Sequence, residues 1–386
     1  MNVPSIIFGK PHIDSEDIEA VITTLKSGWI GTGTVVQQFQ NSVKEYKSTS
    51  HSIALTSCSA ALFLSLSSFN LSRDDEVIVP VMTFCSTAHS VISAGGTPVF
   101  VDCDYPSFLV TADLIERAIT SRTKVIIVVH VAGFPCDMDA IMDVAKRHDL
   151  FVIEDCAHAL EAKYKGVPVG TIGNAGCFSF YATKSIGIGE GGMVITDSSD
   201  MAAYVKRKAY LGISPMPWER TESSDHYKVE DIGFKFNLTD LAASLGVSIM
   251  RKIDDRLSMR QSVFCRYNDA FKELPFILPS DRVAGGRHAY HLYSLLIDES
   301  VSGFSRDEFR KALKEAGIGT GIHFESLHLQ PYYKNTYGLR DSEFPNSGLI
   351  SRQTLSLPLS SNITEKEVRH VIDTVKHLVT LLQTNG

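Results

Sequence analysis

The stretch CFSFYATKSIGIGEGGMVIT, residues Cys177 to Thr196, decides how this chain is read. Phe178 and Phe180 alternate with Ser179 at the period of a half-buried strand. Met193 to Thr196 is a short apolar run of the kind found in buried strands. Between them lie one lysine, Lys184, and a glycine-rich turn from Gly187 to Gly192. The pattern predicts strand, turn, strand. A lysine held between two apolar strands loses hydration, which pulls its pKa toward neutrality. A neutral amine can condense with a carbonyl. The other reading is a loop lysine whose ammonium snorkels to water, and the segment alone leaves both open.

Working outward, apolar runs alternate with helical periodicity. Ile53 to Thr56, Glu76 to Pro80, Thr97 to Asp102, Val125 to Val129 and Leu150 to Ile153 read as strands. Helices are predicted from Asp14 to about Leu25, then over 35–47, 60–69, 89–94, 112–119 and 137–147. Strands that are apolar throughout, separated by helices, argue for a mostly parallel sheet covered on both faces. After residue 240 the pattern changes. One long helical stretch is predicted over 240–273, a strand over 290–297, and helices over 306–315 and 364–383. The chain is α/β, with a large domain over 1–245 and a smaller α+β domain over 246–386.

The bulk composition narrows the function. At 386 residues, two domains are the natural prior. The net charge of −7, with no basic run, argues against a nucleic-acid binder. No apolar stretch reaches the roughly 20 residues of a membrane span, and the N-terminus has no signal-peptide pattern. Seven scattered cysteines with no CxxC pair predict free thiols in a reducing cytoplasm, and no zinc site or disulfide frame.

Open parallel sheets bind ligands beyond the carboxyl ends of their strands. Ser57, Cys58, Ser59 and Ala60 stand where a strand turns into a helix, which suits a phosphate or, equally, ordinary serine capping. Asp155 ends its strand, where a carboxylate can hold a pyridine nitrogen protonated or simply cap a helix. His158 follows three residues on, as a partner of Asp155 or a packed ring. Phe84, past another strand end, can stack on a planar ring or fill the core. Phosphate cradle, stacking ring, pyridinium carboxylate and lysine together are the kit for pyridoxal 5'-phosphate (PLP), and they come in the order that kit needs.

The segments SGWIGTG, TSCSAAL, VIVPVMTFCSTA, VIEDCAHALEAKYKG, FSFYATKSIGIGEGGMV, GFKFNLTDLAASLG and GIGTGIHFESLHLQPYY span nearly the whole chain. They resemble the sugar aminotransferases of the DegT/DnrJ/EryC1/StrS family. GFKFNLTD and GIGTGIHF, with EDCAHA, are most similar to the UDP-4-amino-4-deoxy-L-arabinose synthases within it. The resemblance implies a fold-type I, aspartate aminotransferase-like architecture. It implies PLP, with pyridoxamine 5'-phosphate as the alternate form, and transfer of an amino group from L-glutamate, leaving 2-oxoglutarate, to a nucleotide-linked keto sugar, at C4. It also implies a role in making cell-surface polysaccharide, lipopolysaccharide or a glycosylated metabolite. Lys184 falls on the Schiff-base lysine and Asp155 on the pyridine partner. His158 falls on a residue against the cofactor ring, and Phe84 on the stacking aromatic. Cys58, Ser59, Ala60 and Ser179 match the phosphate cup. Asn237 matches a residue that reaches the phosphate from the other subunit, which implies a homodimer with shared active sites. Trp29, Gly31, Thr32 and His323 match positions near the sugar. Cys58-Ser59 departs from the family's usual Gly-Thr or Ala-Thr and keeps the hydroxyl. Two alternatives stand beside this reading. A PLP-dependent sugar dehydratase on the same fold is disfavoured because those relatives carry histidine at the lysine position. A non-catalytic regulator is disfavoured by the lack of a basic patch.

Overall fold

A computed structural model describes residues 5–214 and 226–385. Its centre is a seven-stranded sheet. The strands are β1 (His51–Leu55), β2 (Glu76–Pro80), β3 (Thr97–Val101), β4 (Thr123–Val129) and β5 (Phe151–Asp155). A two-residue hairpin follows, β6 (Lys163–Tyr164) and β7 (Val167–Pro168). The signature stretch then supplies β8 (Ala175–Ser179) and β9 (Gly192–Thr196). The sheet order is β1-β9-β8-β5-β4-β2-β3. Strand β9 runs antiparallel to both neighbours, and every other pairing is parallel. The carboxyl ends of β1, β2, β5 and β8 therefore open on one edge of the sheet.

Successive strand residues point to opposite faces. Val125 and Ile127 join one core, with helices α3 (Cys58–Ser67), α4 (Cys85–Ser93) and the helix Ser199–Ala209. Ile126 and Val128 join another, with Ile115, Ile141 and Val144 of the helices Ala112–Ala118 and Met138–Arg147. A third core packs Phe39 and Val43 of the helix Thr34–Lys47 on Phe178 and Met193. Burial on both faces is why these strands lack an alternating pattern. A fourth core surrounds a three-stranded antiparallel sheet of Phe276–Ile277, Tyr293–Ile297 and Thr354–Leu357. The helices Ile253–Phe271, Arg306–Glu315 and Glu365–Asn385 cover it, and Ile6 joins it from the N-terminal segment.

The structure differs from the sequence reading in several places. The stretch 240–273 is two helices, Asp240–Met250 and Ile253–Phe271. The chain turns where Lys252 Nζ meets Asp14 and Asp17 of the first helix, a pairing invisible to local periodicity. Helix α4 starts at Cys85 rather than His89, because Ser86 and Thr87 break the apolar pattern of its first turn. The strand predicted from Tyr290 begins at Tyr293, since Tyr290 has φ of 48° and cannot be extended. The sequence reading also lacks the helix Ser199–Ala209, capped by Ser198, the helices Pro331–Tyr337 and Pro345–Gln353, and the strands Phe276–Ile277 and Thr354–Leu357.

Candidate active site

Strand β1 ends one residue before the turn into α3. Ser57 caps that helix by accepting the Ala60 N–H at 3.1 Å. The first two N–H groups, of Cys58 and Ser59, have no helical acceptor and face outward from the helix end. Beyond β2, Phe84 sits at the cap position of α4 with 60% of its surface exposed. The core reading of Phe84 is therefore set aside. Asp155 is the last residue of β5 and is buried. Ser179 ends β8, and Lys184 follows in the turn before β9.

These groups line one cavity of about 340 Å³, with His158, Phe324, His323 and His291. Asp155 Oδ1 accepts the Ala157 N–H at 3.1 Å, and Oδ2 accepts the Thr87 hydroxyl at 2.9 Å. Burial still pushes the Asp155 carboxyl above its usual range, against those bonds and the nearby Lys184 charge. Burial pulls the Lys184 amine down to about 8, against the opposing effect of Cys58 and Asp155. His158 Nδ1 accepts the Ala132 N–H at 3.3 Å, so the neutral ring carries its proton on Nε2. Its ring lies 5.7 Å from Phe324, nearly parallel, and 4.5 Å from His291. Burial first, then the Lys184 charge, keep His158 and His291 well below the ordinary histidine range, and His323 at about 4. Three uncharged imidazoles thus face one perturbed amine.

Cys58 is buried, with Sγ 4.0 Å from Asp155 Oδ1. Burial and the neighbouring carboxylate raise its thiol well above the usual range, so it acts as packing and not as a nucleophile. Ala60 is likewise buried, and its N–H is already taken by Ser57. Behind Asp155, the ligand atoms of His130, Glu154 and Cys156 converge within 4.8 Å. The Glu154 carboxylate is already saturated by the N–H groups of Gly170, Ile172 and Gly173 and by His130 Nε2. That cluster braces the strand.

Four sequence candidates lie elsewhere in the chain. Trp29 Nε1 bonds the Thr32 carbonyl at 3.0 Å, and the Gly31 carbonyl accepts the Asp240 N–H at 2.8 Å. Asn237 Nδ2 donates to the Thr32 hydroxyl at 2.5 Å, and its Oδ1 is buried without a partner among the described residues. Thr32 and Asn237 line a separate cavity that Lys184 does not reach. Sequence reasoning missed Thr87, His291 and Phe324. Thr87 stands three residues past Phe84, a helical step that could have flagged it. His291 and Phe324 lie more than a hundred residues past Lys184 in the chain, and only packing brings them here.

A model of the DegT/DnrJ/EryC1/StrS aminotransferase family matches residues 11–376. The chain belongs to this family. SpsC, a spore coat polysaccharide biosynthesis protein of Bacillus subtilis, is 41% identical to this aminotransferase-family chain over 375 residues, covering 96% of each protein. The fold is likewise that of Spr1654 of Streptococcus pneumoniae, assigned as a sugar aminotransferase. Its PLP-form has a TM-score of 0.91 at 30% identity, over 98% of this chain and 99% of that one. The same protein is also known in its PMP-form, with a TM-score of 0.92. DesI, solved in the presence of its TDP-sugar product, has a TM-score of 0.86 at 29% identity, over 98% of this chain and 94% of that one. The fold is thus that of the PLP-dependent aminotransferases, with its mostly parallel mixed sheet. The particular likeness to UDP-4-amino-4-deoxy-L-arabinose synthases finds no counterpart among these matches. Among the described residues, no helix is long and apolar enough to cross a membrane.

Proposed function

We propose that this chain is a PLP-dependent aminotransferase that moves an amino group from L-glutamate to the keto carbon, at C4, of a nucleotide-linked sugar. The observation that carries the reading is the single cavity shared by Lys184, Asp155, Phe84 and the start of α3. The residues fit the cofactor: open N–H groups at a helix start for a phosphate, an exposed ring beside them, a buried carboxylate and an amine drawn toward neutrality. Bound there, PLP supplies an electron sink for proton loss at the carbon bearing the amine.

The protein's own groups do the rest. Cys58 and Ser59 hold the phosphate through their N–H groups, with the hydroxyls of Ser59 and Ser179 as further donors. Asp155 Oδ keeps a proton on the pyridine nitrogen. Thr87 orients that carboxylate, and burial keeps water from competing for it. Phe84 would stack on the ring, and His158 Nε2 would be free to donate a hydrogen bond to it. Lys184 Nζ would hold the aldehyde group of PLP, and as a free amine it would be the group placed to move a proton at the reacting carbon. His323 faces the sugar.

Asn237, Thr32, Gly31 and Trp29 act in the partner's site of a homodimer. This is supported by the unpartnered Asn237 Oδ1 and by exposed apolar side chains such as Trp29, Ile30, Val229 and Ile232. The cytoplasm is the compartment that suits seven unpaired thiols and a nucleotide sugar. SpsC supports a place in surface polysaccharide synthesis, and DesI supports a nucleotide-linked substrate. Lys184 in the cavity favours transamination over the dehydratase reading, and the cavity itself favours an enzyme over a regulator.

The test is to incubate the holoenzyme with L-glutamate and a panel of UDP-, dTDP- and GDP-linked keto sugars and weigh the products. An amino sugar with equimolar 2-oxoglutarate is expected. A nitrogen-free deoxy sugar would establish the dehydratase, and a protein that takes up no PLP would establish the regulator.

A further inference from the structure

Lys184 and His291 reach the cavity from distant parts of the chain, and one buried ion pair joins the segments that carry them. Glu161 is 1% exposed and Arg260 4%. Arg260 Nη2 donates to Glu161 Oε1 at 2.5 Å. The same guanidinium donates through Nε to the Tyr290 carbonyl and through Nη2 to the Ala289 carbonyl, each at 3.2 Å. Those are the two residues before His291, and Tyr290 is held in the left-handed region at φ 48°. The other carboxylate oxygen, Glu161 Oε2, accepts the hydroxyl of Ser185 at 3.2 Å. Ser185 directly follows Lys184.

A buried ion pair contributes little net stability over an apolar pair of the same volume, so its directional bonds are where its use lies. The lysine turn needs such an anchor. It carries glycines at 187, 189, 191 and 192, and glycine leaves the backbone soft. We propose that Arg260 and Glu161 are positioning residues that hold the lysine loop through Ser185 and the His291 segment through two carbonyls. The Lys184 amine and the His291 ring then keep one relative placement at the cavity. Other cations near Glu161 bind backbone and not its carboxylate. Arg287 Nε takes the Glu161 carbonyl at 2.7 Å, and Lys47 Nζ takes the Leu160 carbonyl at 2.9 Å. The carboxylate is left to Arg260 and Ser185. This proposal rests on the reading of Lys184 as the amine that joins the cofactor.

Ser185→Ala is the discriminating variant, because it cuts the link to the lysine loop and leaves the ion pair whole. In the cofactor-free protein, Lys184 is pulse-labelled with an amine-reactive anhydride across pH and its peptide quantified by mass spectrometry. Half-maximal labelling is expected near pH 8 in the wild type. In Ser185→Ala a freed lysine reaches water, and the midpoint rises by about one pH unit. The holoenzyme variant loses roughly tenfold in kcat with KM for the amino donor unchanged, since only orientation is lost. Glu161→Gln shows the same shift and a lower Tm, and Glu161→Asp recovers part of both. A Ser185→Ala protein with the wild-type midpoint and kcat overturns the tether. Labelling needs no cofactor, so a shifted midpoint in a protein that takes up no PLP supports the tether while sinking the functional reading.

Discussion

The Thr87 hydroxyl donates to Asp155 Oδ2 at 2.9 Å, joining the first turn of α4 to the end of β5 across 68 residues of chain. Thr87 in turn lies 2.8 Å from the Thr83 hydroxyl, which supplies its remaining bond. A carboxylate held this way presents a fixed edge to the cavity. Thr87→Val keeps the shape and removes one charge-assisted bond, worth about 1.5–3 kcal/mol. The expected result is PLP affinity weakened by roughly tenfold to a hundredfold, measured by titrating apoenzyme with PLP, with Tm lowered only slightly. Unchanged PLP affinity would remove Asp155 from the cofactor site.

Lys184→Ala should abolish transamination and the visible absorbance of lysine-bound PLP, while the protein still folds. Full turnover in the variant would refute the assignment. In the wild type, the amine must lose its proton before it can join an aldehyde, and its pKa lies at about 8. The rate of PLP uptake by apoenzyme should therefore rise tenfold per pH unit below that value and level off above it, followed by stopped-flow absorbance.

Gly192 opens β9 and passes the start of α3. A Cβ there would fall within the backbone atoms of Ser57 and Cys58. These are backbone and cannot rotate away, so Gly192→Ala must displace the helix start that offers N–H groups to the phosphate. The expected outcome is a loss of about 1–3 kcal/mol in denaturant unfolding, together with weaker PLP binding. A variant of full stability and full affinity would place the phosphate elsewhere.

Stability should fall in acid, with a sign set by buried histidines. Burial lowers His288 to about 3 and His323 to about 4, and holds His158 and His291 well below normal. The unfolded chain takes up these protons near pH 6.5 and the folded chain refuses them. The stabilisation is complete above pH 6.5 and is lost as pH falls toward 4. The slope is about 1.4 kcal/mol per pH unit for each such histidine. Urea midpoints measured from pH 8 to 4 should drop steeply below 6.5, and a flat profile would mean that these rings are hydrated.

Local pattern carried most of the framework, because a strand buried on both faces and a helix with one apolar stripe each leave a mark within a dozen residues. The capping box of Asp14 and Asp17 and the helix Arg306–Glu315 were legible for that reason. So was the strand pair around Lys184. Where an element owes its limits to a distant partner, the pattern is silent. The break at Lys252 follows from Asp14 and Asp17, and the bend at Tyr290 accompanies the guanidinium of Arg260.

By itself the sequence determined which chemical groups stand at the ends of which strands: an amine, a carboxylate, a helix start and a ring. It did so because strand ends and helix caps are short-range features. Only the tertiary structure decided that these ends open on one edge of one sheet and that Thr87 braces Asp155. It alone brought His291 and Phe324 in from far along the chain and left Asn237 outside the cavity of Lys184. Those placements depend on sheet order and domain packing, which are sums of long-range contacts that no window of residues contains.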